Sequence, residues 1–354
     1  MKRTTAAVIT GASLAGAGVV CAGAAAVALY RGISNLASRR LEGKVVLITG
    51  GSRGLGLALA EEFGRRGARL VLTARDPHEL ERARTLLIRR NAVRDENDVL
   101  VIAADLRDIG QAEQMLQRAT ERFGDVDVLV NNAGIITVGP VENQTAEEFH
   151  EVMDANFFTG VHCSLAMLPH MLRRRNGTIV NIASIGGKIP VPHLLPYTAS
   201  KFAAVGFSQG LNAELRSKGI HVLTVCPGLM RTGSHLQAQF TGDAAREYRW
   251  FSLSANLPGA STSAAAAARR IVRAVLLRES EIAITLQAII ASRSASLAPE
   301  VMLQAMSLAN RLLPSAADEQ REPRPGSHFR DAEVKPIASS IGSAAARRYN
   351  QTAI

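Results

Sequence analysis

The sequence predicts an α/β protein with a doubly wound, mostly parallel sheet of seven strands flanked by helices, preceded by an apolar helix at the N-terminus. From Leu41 onward, short β-branched runs alternate with longer amphipathic stretches. This alternation is typical of parallel sheets, because parallel neighbours need a long crossover connection. A glycine-rich turn also follows the first β-branched run, as expected where a strand leads into a helix.

The individual elements follow from residue type and spacing. Strands are expected at residues 45–49, 70–73, 99–103, 128–131, 178–182, 221–226 and 281–285. Helices are expected at residues 56–66, 77–91, 109–123, 146–174, 196–218 and 263–277. Aromatic residues make up only 4% of the chain, so its apolar character is mainly aliphatic. Aliphatic runs of this kind favour strands that are buried on both faces.

The chain divides by composition into four parts. Residues 1–40 form an apolar anchor and linker, residues 41–293 the α/β domain, residues 294–314 an amphipathic helix, and residues 315–354 a tail. The apolar spacing at 299–313 predicts a helix that either packs on the domain or touches a membrane. The tail is rich in Pro, Ser and Arg, which predicts poor order.

The N-terminal segment predicts a membrane anchor. Between Arg3 and Arg31 about 27 residues carry no charge, which at ~1.5 Å per residue is enough for a helix to cross a bilayer. Arg31, Arg39 and Arg40 outnumber the basic residues before the segment and favour a cytoplasmic location for the α/β domain. The alternatives are a cleaved secretory signal, because Lys2 precedes the apolar run, or a buried or unstructured extension.

Charge and cysteine content exclude some function classes. The net charge of +10 is spread over short clusters that no aromatic residues interleave, so we expect no nucleic-acid partner. The three cysteines follow neither metal-ligand nor disulfide spacing, and the histidines at 162, 170 and 193 form no ligand cluster. We therefore expect no metal.

The glycine-rich turn predicts a dinucleotide cofactor site. Gly50, Gly54 and Gly56 lie between the first strand and the first helix, where they let the backbone approach a pyrophosphate. The N–H groups at the helix start would then face the phosphates. The expected cofactor residues of this loop are Gly50, Ser52, Arg53, Gly54, Leu55 and Gly56.

The cofactor is expected to be NADP(H) rather than NAD(H). A site for NAD has an acid at the end of the second strand, and that position is Ala74 here. Arg75 and Arg53 would place two guanidinium groups near the ribose, which suits a 2′-phosphate. Asp76 is a competing neighbour, although it can instead cap the helix that begins at Pro77.

Tyr197 and Lys201 form the expected catalytic couple. Residues four apart share one face of a helix, so the ammonium can lie beside the phenol and lower its pKa. Ser184 follows a strand whose carboxyl end meets the ligand crevice, where its hydroxyl can bond the reacting oxygen; the alternative is a turn or cap residue.

Together these motifs resemble the classical short-chain dehydrogenase/reductase family, from about Leu41 to Pro258. The resemblance rests on the TGxxxGxG turn at 49–56, Asp105-Leu106, the NNAG sequence at 131–134, the YxxxK pair and a PGxxxT-like turn at 227–232. It implies a Rossmann-like fold. The membrane segment would make the chain a bacterial-type or hydroxysteroid-dehydrogenase-like member.

The same resemblance implies roles for individual residues. Tyr197 would give a proton to the nascent alkoxide, Ser184 would steady the carbonyl, and Lys201 would tune Tyr197 and bind ribose. Asn156 would complete a proton relay, with a satisfied buried amide as the alternative. Further cofactor contacts would come from Asp105, Leu106, Asn132, Ala133, Gly134, Pro227, Gly228 and Thr232.

The implied activity is interconversion of a carbonyl and an alcohol, and the expected substrate is a small lipophilic compound. Apolar segments at 135–140, 185–195 and 229–257 would face it; the last holds Phe240, Tyr248, Trp250 and Phe251. These side chains could instead be core or the surface of a homodimer. His193 is expected to be an exposed loop residue. The alternative function is a non-catalytic NADP(H)-binding scaffold or redox sensor at a membrane.

Overall fold

A computed structural model describes residues 41–256, 259, 261–317, 322–329 and 336–351. From Gly43 onward the described residues belong to one compact unit. The anchor expected at residues 1–40 lies outside the described residues. Among the residues that are described, no helix has the length and apolarity needed to cross a membrane.

Seven parallel strands form the central sheet, which confirms the predicted fold class. They are β1 (Val45–Thr49), β2 (Arg69–Ala74), β3 (Val99–Ala103), β4 (Val128–Asn131), β5 (Gly177–Ile182), β6 (Ile220–Pro227) and β7 (Glu281–Ile284). Their order is β7-β6-β5-β4-β1-β2-β3. The order reverses between β1 and β4, and in such sheets this reversal opens a crevice at the carboxyl ends of the strands.

Helices cover both faces of the sheet. They are α1 (Gly54–Gly64), α2 (Pro77–Arg89), α3 (Ile109–Phe123), α4 (Ala146–Met153), α5 (Thr159–Arg174), α6 (Leu195–Leu215), α7 (Ala244–Asn256), α8 (Ala264–Leu277), α9 (Leu286–Leu297), α10 (Pro299–Asn310) and α11 (Pro336–Arg348). A π-helical turn, Asp154–Phe158, joins α4 to α5. The stretch expected as one helix is therefore interrupted by that turn.

The core explains why the strands are apolar throughout. Leu47 and Leu129 pack with residues of α3 and α5 on one face of the sheet. Alternate strand residues point to the opposite face, where Leu70 lies close to Gly64 at the end of α1. Burying each such leucine contributes about 1.5–3 kcal/mol. Strands that are covered by helices on both faces thus do not alternate between apolar and polar residues, as their sequences predicted.

Part of the tail, expected to be poorly ordered, is folded. Arg324–Pro325 pairs antiparallel with Gln239–Phe240, and α11 packs against α7. Small residues permit this close contact: a Cβ on Gly342 would lie 2.8 Å from Nδ2 of Asn256. Gly and Ala add little to the hydropathy of a segment. A prediction from composition therefore underestimates the order of segments that pack through small residues.

The boundary expected at residue 293 falls inside a helix. Helix α9 continues to Leu297 and forms a hairpin with α10. None of the residues of α10 is fully buried; Met302 and Met306 are half-buried, whereas Val301 and Leu308 are exposed. The helix expected at 299–313 therefore exists but is shorter, and its apolar stripe is only partly covered by the described chain.

Candidate active site

A cleft of about 680 Å³ lies at the carboxyl ends of β1, β2, β3, β4 and β5. Most of the sequence-predicted site residues meet there. The cleft is lined by Gly50, Ser52, Arg53, Gly54, Leu55, Arg75, Asp105, Leu106, Asn132, Ala133, Gly134, Tyr197, Lys201 and Thr232, among others. Of the other predicted residues, Gly56, Asn156, Ser184, Pro227 and Gly228 do not line it among the described residues.

The glycine-rich loop is fixed to the end of β4. Asn132 donates from Nδ2 to the carbonyls of Thr49 and Gly50, at 3.0 and 3.1 Å. The Thr49 hydroxyl accepts from the backbone N–H groups of Asn132 and Ala133, at 2.9 and 3.0 Å. These bonds satisfy buried polar groups at the bottom of the cleft.

Glycine is required at two positions of this loop. Gly50 has a φ of +62°, in the left-handed region that favours glycine. A Cβ on Gly56 would lie 2.1 Å from the Gly50 carbonyl oxygen, so α1 can approach the loop only without a side chain there. The result is a cradle of backbone at the N-terminus of a helix, a shape that fits a dinucleotide pyrophosphate.

Tyr197 and Lys201 share one face of α6 at the cleft. The Nζ of Lys201 lies 5.6 Å from the centroid of the Tyr197 ring and donates to the Ile182 carbonyl at 3.0 Å. Tyr197 is half-buried, whereas Lys201 is buried. The YxxxK spacing has therefore brought the two groups together, and the end of β5 holds the ammonium in place.

Burial dominates the electrostatics of this couple. It raises the pKa of the Tyr197 phenol, and a side-chain hydrogen bond with Ser184 lowers that pKa in part. Burial also lowers the pKa of Lys201 to about 8. In the chain without its cofactor, the pKa of the phenol therefore lies above its ordinary value rather than below it, because removal from water outweighs the hydrogen bond with Ser184.

Ser184 lies beside the phenol without lining the cleft. Its Oγ accepts from the Gly186 N–H at 3.0 Å and caps a short 3₁₀ turn. The predicted hydrogen-bonding role and the turn-capping alternative are thus compatible, since one hydroxyl has two lone pairs and a proton.

Asn156 occupies the π-helical turn. Its Oδ1 accepts from the Ile135 N–H at 2.7 Å, and its Nδ2 donates to the Ile135 carbonyl at 3.1 Å and to Ser200 Oγ at 3.0 Å. Both ends of its amide therefore have partners, in agreement with the alternative of a satisfied buried amide. The same Oδ1 explains why residue 134 is glycine, because a Cβ on Gly134 would lie 2.7 Å from this oxygen.

The end of the cleft beside β2 and β3, which we call the adenine end because the sequence predicts the adenosine half of a dinucleotide there, contains partners that sequence reasoning missed. Arg53 forms an ion pair with Glu79 at 2.9 Å, and Ser52 Oγ donates to the same carboxylate at 3.0 Å. Asp105 pairs with Arg107 at 2.6 Å, and this hydrogen bond holds the pKa of Asp105 below its ordinary value. Glu79 lies three residues after the helix cap Asp76, a position usually assigned to helix capping.

The turn after β6 contributes only part of what was expected. Thr232 lines the cleft, whereas Gly228 packs away from it: a Cβ there would lie 2.5 Å from Thr285 Oγ1. Its N–H donates to the Ile284 carbonyl at 2.9 Å, which ties the turn to β7. Pro227 ends β6. Both residues shape the turn that presents Thr232.

The late aromatic residues form core rather than cleft lining. Phe240, Tyr248 and Phe251 are buried in one cluster with Leu194. The apolar lining comes instead from Ile135, Ile136, Met230 and Ala238. The alternative interpretation of these aromatics as core is the one that the structure supports.

His193 is buried, contrary to the expected exposed loop position. Its Nδ1 lies 2.8 Å from Oε1 of Glu247, whose side chain is 0% exposed. The other oxygen of Glu247 accepts from Trp250 Nε1 at 2.6 Å. This pair joins the segment before α6 to α7, and no short-range sequence signal marks a partner 54 residues away.

Comparison with known proteins gives a consistent result. A family model for short chain dehydrogenase matches residues 44–241. "Dehydrogenase/reductase SDR family protein 7-like" from Anopheles gambiae is 39% identical over 208 residues, 59% of this chain and 65% of that protein. The match thus spans less than two thirds of that relative's length.

Two solved structures share the fold. A short-chain dehydrogenase from Streptomyces avermitilis aligns with a TM-score of 0.64 and 28% identity, covering 76% of this chain and 97% of that one. An actinorhodin polyketide ketoreductase solved with NADPH aligns with a TM-score of 0.59 and 30% identity, covering 69% of this chain and 95% of that one. With a family match over more than half of its length, the protein belongs to the short-chain dehydrogenase family.

Proposed function

We propose that this protein is an NADP(H)-dependent oxidoreductase that interconverts a carbonyl and an alcohol on a small lipophilic substrate, with Tyr197 as general acid/base. The observation that carries the proposal is the Tyr197–Lys201 couple in the wall of a cleft that a dinucleotide-type glycine loop also lines. A family relative with this fold is a ketoreductase that was solved with NADPH.

The residues divide the chemistry between them. A bound nicotinamide would supply a hydrogen with two electrons for the carbonyl carbon. Tyr197 would supply the proton for the oxygen, and its raised pKa keeps the phenol protonated at neutral pH, as reduction requires. Ser184 hydrogen-bonds the phenol and would also orient the carbonyl oxygen of the substrate.

Charge at the adenine end supports NADP(H). Arg75 and Arg53 both line the cleft, and the end of β2 offers Ala74 rather than an acid. Glu79 neutralises Arg53 in part, so Arg75 would be the guanidinium immediately available to a 2′-phosphate. The apolar side chains of Ile136 and Met230 at the other end favour a lipophilic substrate.

The test is Tyr197→Phe, assayed by NADPH consumption with steroid, retinoid, fatty and aromatic carbonyls. We expect turnover to fall at least about 100-fold, because general acid catalysis contributes that much, while NADPH binding measured by fluorescence stays unchanged. Tyr248→Phe is the matched control, since this buried tyrosine does not line the cleft. Full turnover in Tyr197→Phe would contradict the mechanism, and binding without turnover on any carbonyl would favour a scaffold or sensor.

The proposal includes a membrane-anchored protein with a cytoplasmic catalytic domain. It rests on the uncharged run between Arg3 and Arg31 and on the basic residues that follow it. Fractionation with protease protection tests it. A soluble, shortened mature protein would favour a cleaved signal instead.

A further inference from the structure

Residues 349–351, which follow α11, lie across the glycine-rich loop; we call them the C-terminal strap. The Gly54 N–H donates to the Tyr349 carbonyl at 2.9 Å. Asn350 donates from Nδ2 to the Ser52 carbonyl at 2.9 Å and to the Glu79 carbonyl at 3.1 Å. All three strap residues are buried. The strap is therefore bonded directly to the loop that forms the pyrophosphate cradle.

The strap is also held from its other sides. Gln237 donates from Nε2 to the Gln351 carbonyl at 3.1 Å, and Arg82 donates from Nε to Asn350 Oδ1 at 3.3 Å. Just before the strap, Ala346 packs so closely that a Cβ on Gly233 would lie 2.6 Å from its Cα. The strap thus connects the cofactor loop with the segment that carries Thr232 and Gln237 at the cleft.

The side chain of Gln351 has unused hydrogen-bonding capacity in the cleft. The residue lines the cleft and is only 7% exposed, and its Oε1 is buried with no partner among the described residues. Its Nε2 lies 3.0 Å from where a Cβ on Gly54 would be, at the start of α1. A buried amide oxygen without a hydrogen-bond partner destabilises the protein, and a ligand that donates a hydrogen bond to it would remove that penalty.

We propose that the strap is a cover over the cofactor pyrophosphate, and that Gln351 contacts the bound dinucleotide. Nε2 would donate to a phosphate oxygen at the N-terminus of α1, and Oε1 would accept from a ribose hydroxyl. The cofactor then leaves only when the strap lifts from Ser52 and Gly54, so the strap slows cofactor release. The inference rests on the dinucleotide site of the proposed function, but not on catalysis or on NADP preference, because NAD and NADP share the pyrophosphate.

The test measures cofactor binding on the full chain. NADPH affinity is determined by fluorescence titration, and its dissociation rate by stopped-flow displacement with excess NADP⁺. We expect Gln351→Ala to weaken NADPH binding about tenfold, as for loss of one hydrogen bond to a charged group. Gln351→Glu should weaken it further, because a carboxylate would face the phosphates. Gln304→Ala, on the exposed surface of α10, is the matched control and should change nothing.

A shortened chain provides an independent variant. Removal of residues 349–354 should speed NADPH dissociation, while the far-ultraviolet circular dichroism spectrum stays unchanged. Unchanged affinity and dissociation in Gln351→Ala and Gln351→Glu would overturn the inference. Tighter binding after removal of residues 349–354 would also overturn it, because the strap would then compete with the cofactor.

The outcomes separate this inference from the proposed function. If the wild-type chain binds NADH better than NADPH, the same titrations with NADH test the strap unchanged. If the strap variants behave as expected but no carbonyl is reduced, the catalytic proposal is contradicted, whereas the inference about the strap is supported. If the wild-type chain binds neither dinucleotide, the strap inference is overturned together with the cofactor site.

Discussion

Replacing Lys201 by methionine should stabilise the fold at neutral pH while it removes the ammonium beside Tyr197. Burial lowers the pKa of Lys201 from 10.5 to about 8. That difference corresponds to a cost of about 3 kcal/mol for holding the charged form in the folded protein. Methionine fills a similar volume but loses the hydrogen bond to the Ile182 carbonyl, worth about 1 kcal/mol. The net gain expected at pH 7 is about 2 kcal/mol.

The lowered pKa of Lys201 also predicts how the stability difference between Lys201→Met and wild type changes with pH. Because the folded-state pKa of Lys201 lies below the unfolded value, the unfolded chain binds the extra proton between pH 8 and 10.5. Below pH 8 the full cost of burying the charge is present, and it falls as pH rises from 8 to 10.5. Half of the cost remains near pH ~9.3, midway between the two values. The advantage of Lys201→Met should therefore shrink with rising pH.

Urea unfolding followed by tryptophan fluorescence measures the effect, with the free energy of unfolding compared between Lys201→Met and wild type at pH 7 and at pH ~9.3. Lys218→Met, at an exposed lysine, is the matched control and should change stability by less than about 0.5 kcal/mol at either pH. A variant that is less stable than wild type at pH 7, or whose difference is independent of pH, would refute the reasoning from burial.

Two further changes test the cofactor end of the cleft. Glu79→Gln removes the partner of Arg53, so NADPH affinity should rise about threefold to tenfold relative to NADH affinity; an unchanged ratio of the two dissociation constants would exclude Arg53 from 2′-phosphate recognition. Gly56→Ala places a methyl group 2.1 Å from the Gly50 carbonyl oxygen. We expect it to destabilise the fold by about 2 kcal/mol in thermal unfolding and to abolish dinucleotide binding in the fluorescence titration, whereas full binding would show that the loop can move aside.

The strands could be predicted because their burial leaves a continuous signal. Residues 45–49, 99–103 and 128–131 match the observed strands to the residue, since a strand covered on both faces is apolar throughout. Helix α7 and the part of the tail that the structure describes carry no comparable signal. Helix α11 has Gly342 and Ala346 at its contacts, and their packing comes from close approach rather than from hydropathy.

Among the site residues, too, those with a local sequence signal could be predicted and the others could not. Motif residues such as Tyr197 and Gly54 were predictable because their spacing is local: a helical turn or a tight loop fixes their geometry. Glu79, Gln351 and the pair of His193 with Glu247 were not, because each owes its position to a partner distant in the chain. Hydrophobic periodicity and helix-capping residues predict contacts between residues that are close in the chain. Contacts between residues that are distant in the chain are set by tertiary folding.

The protonation states of the couple also depend on this tertiary setting. Spacing alone suggested that Lys201 makes Tyr197 more acidic, yet the enclosing protein raises the pKa of the phenol and lowers that of the ammonium to about 8. Both shifts favour the neutral form of each group, since burial penalises charge of either sign. At neutral pH the couple therefore consists of an intact phenol and a lysine that is still largely protonated. A phenol in that state can give a proton to an oxygen but can hardly accept one, which is consistent with the reduction step proposed for Tyr197. Oxidation of an alcohol would need the phenolate, and the penalty on that anion falls if positive charge or a further hydrogen-bond donor is brought beside it.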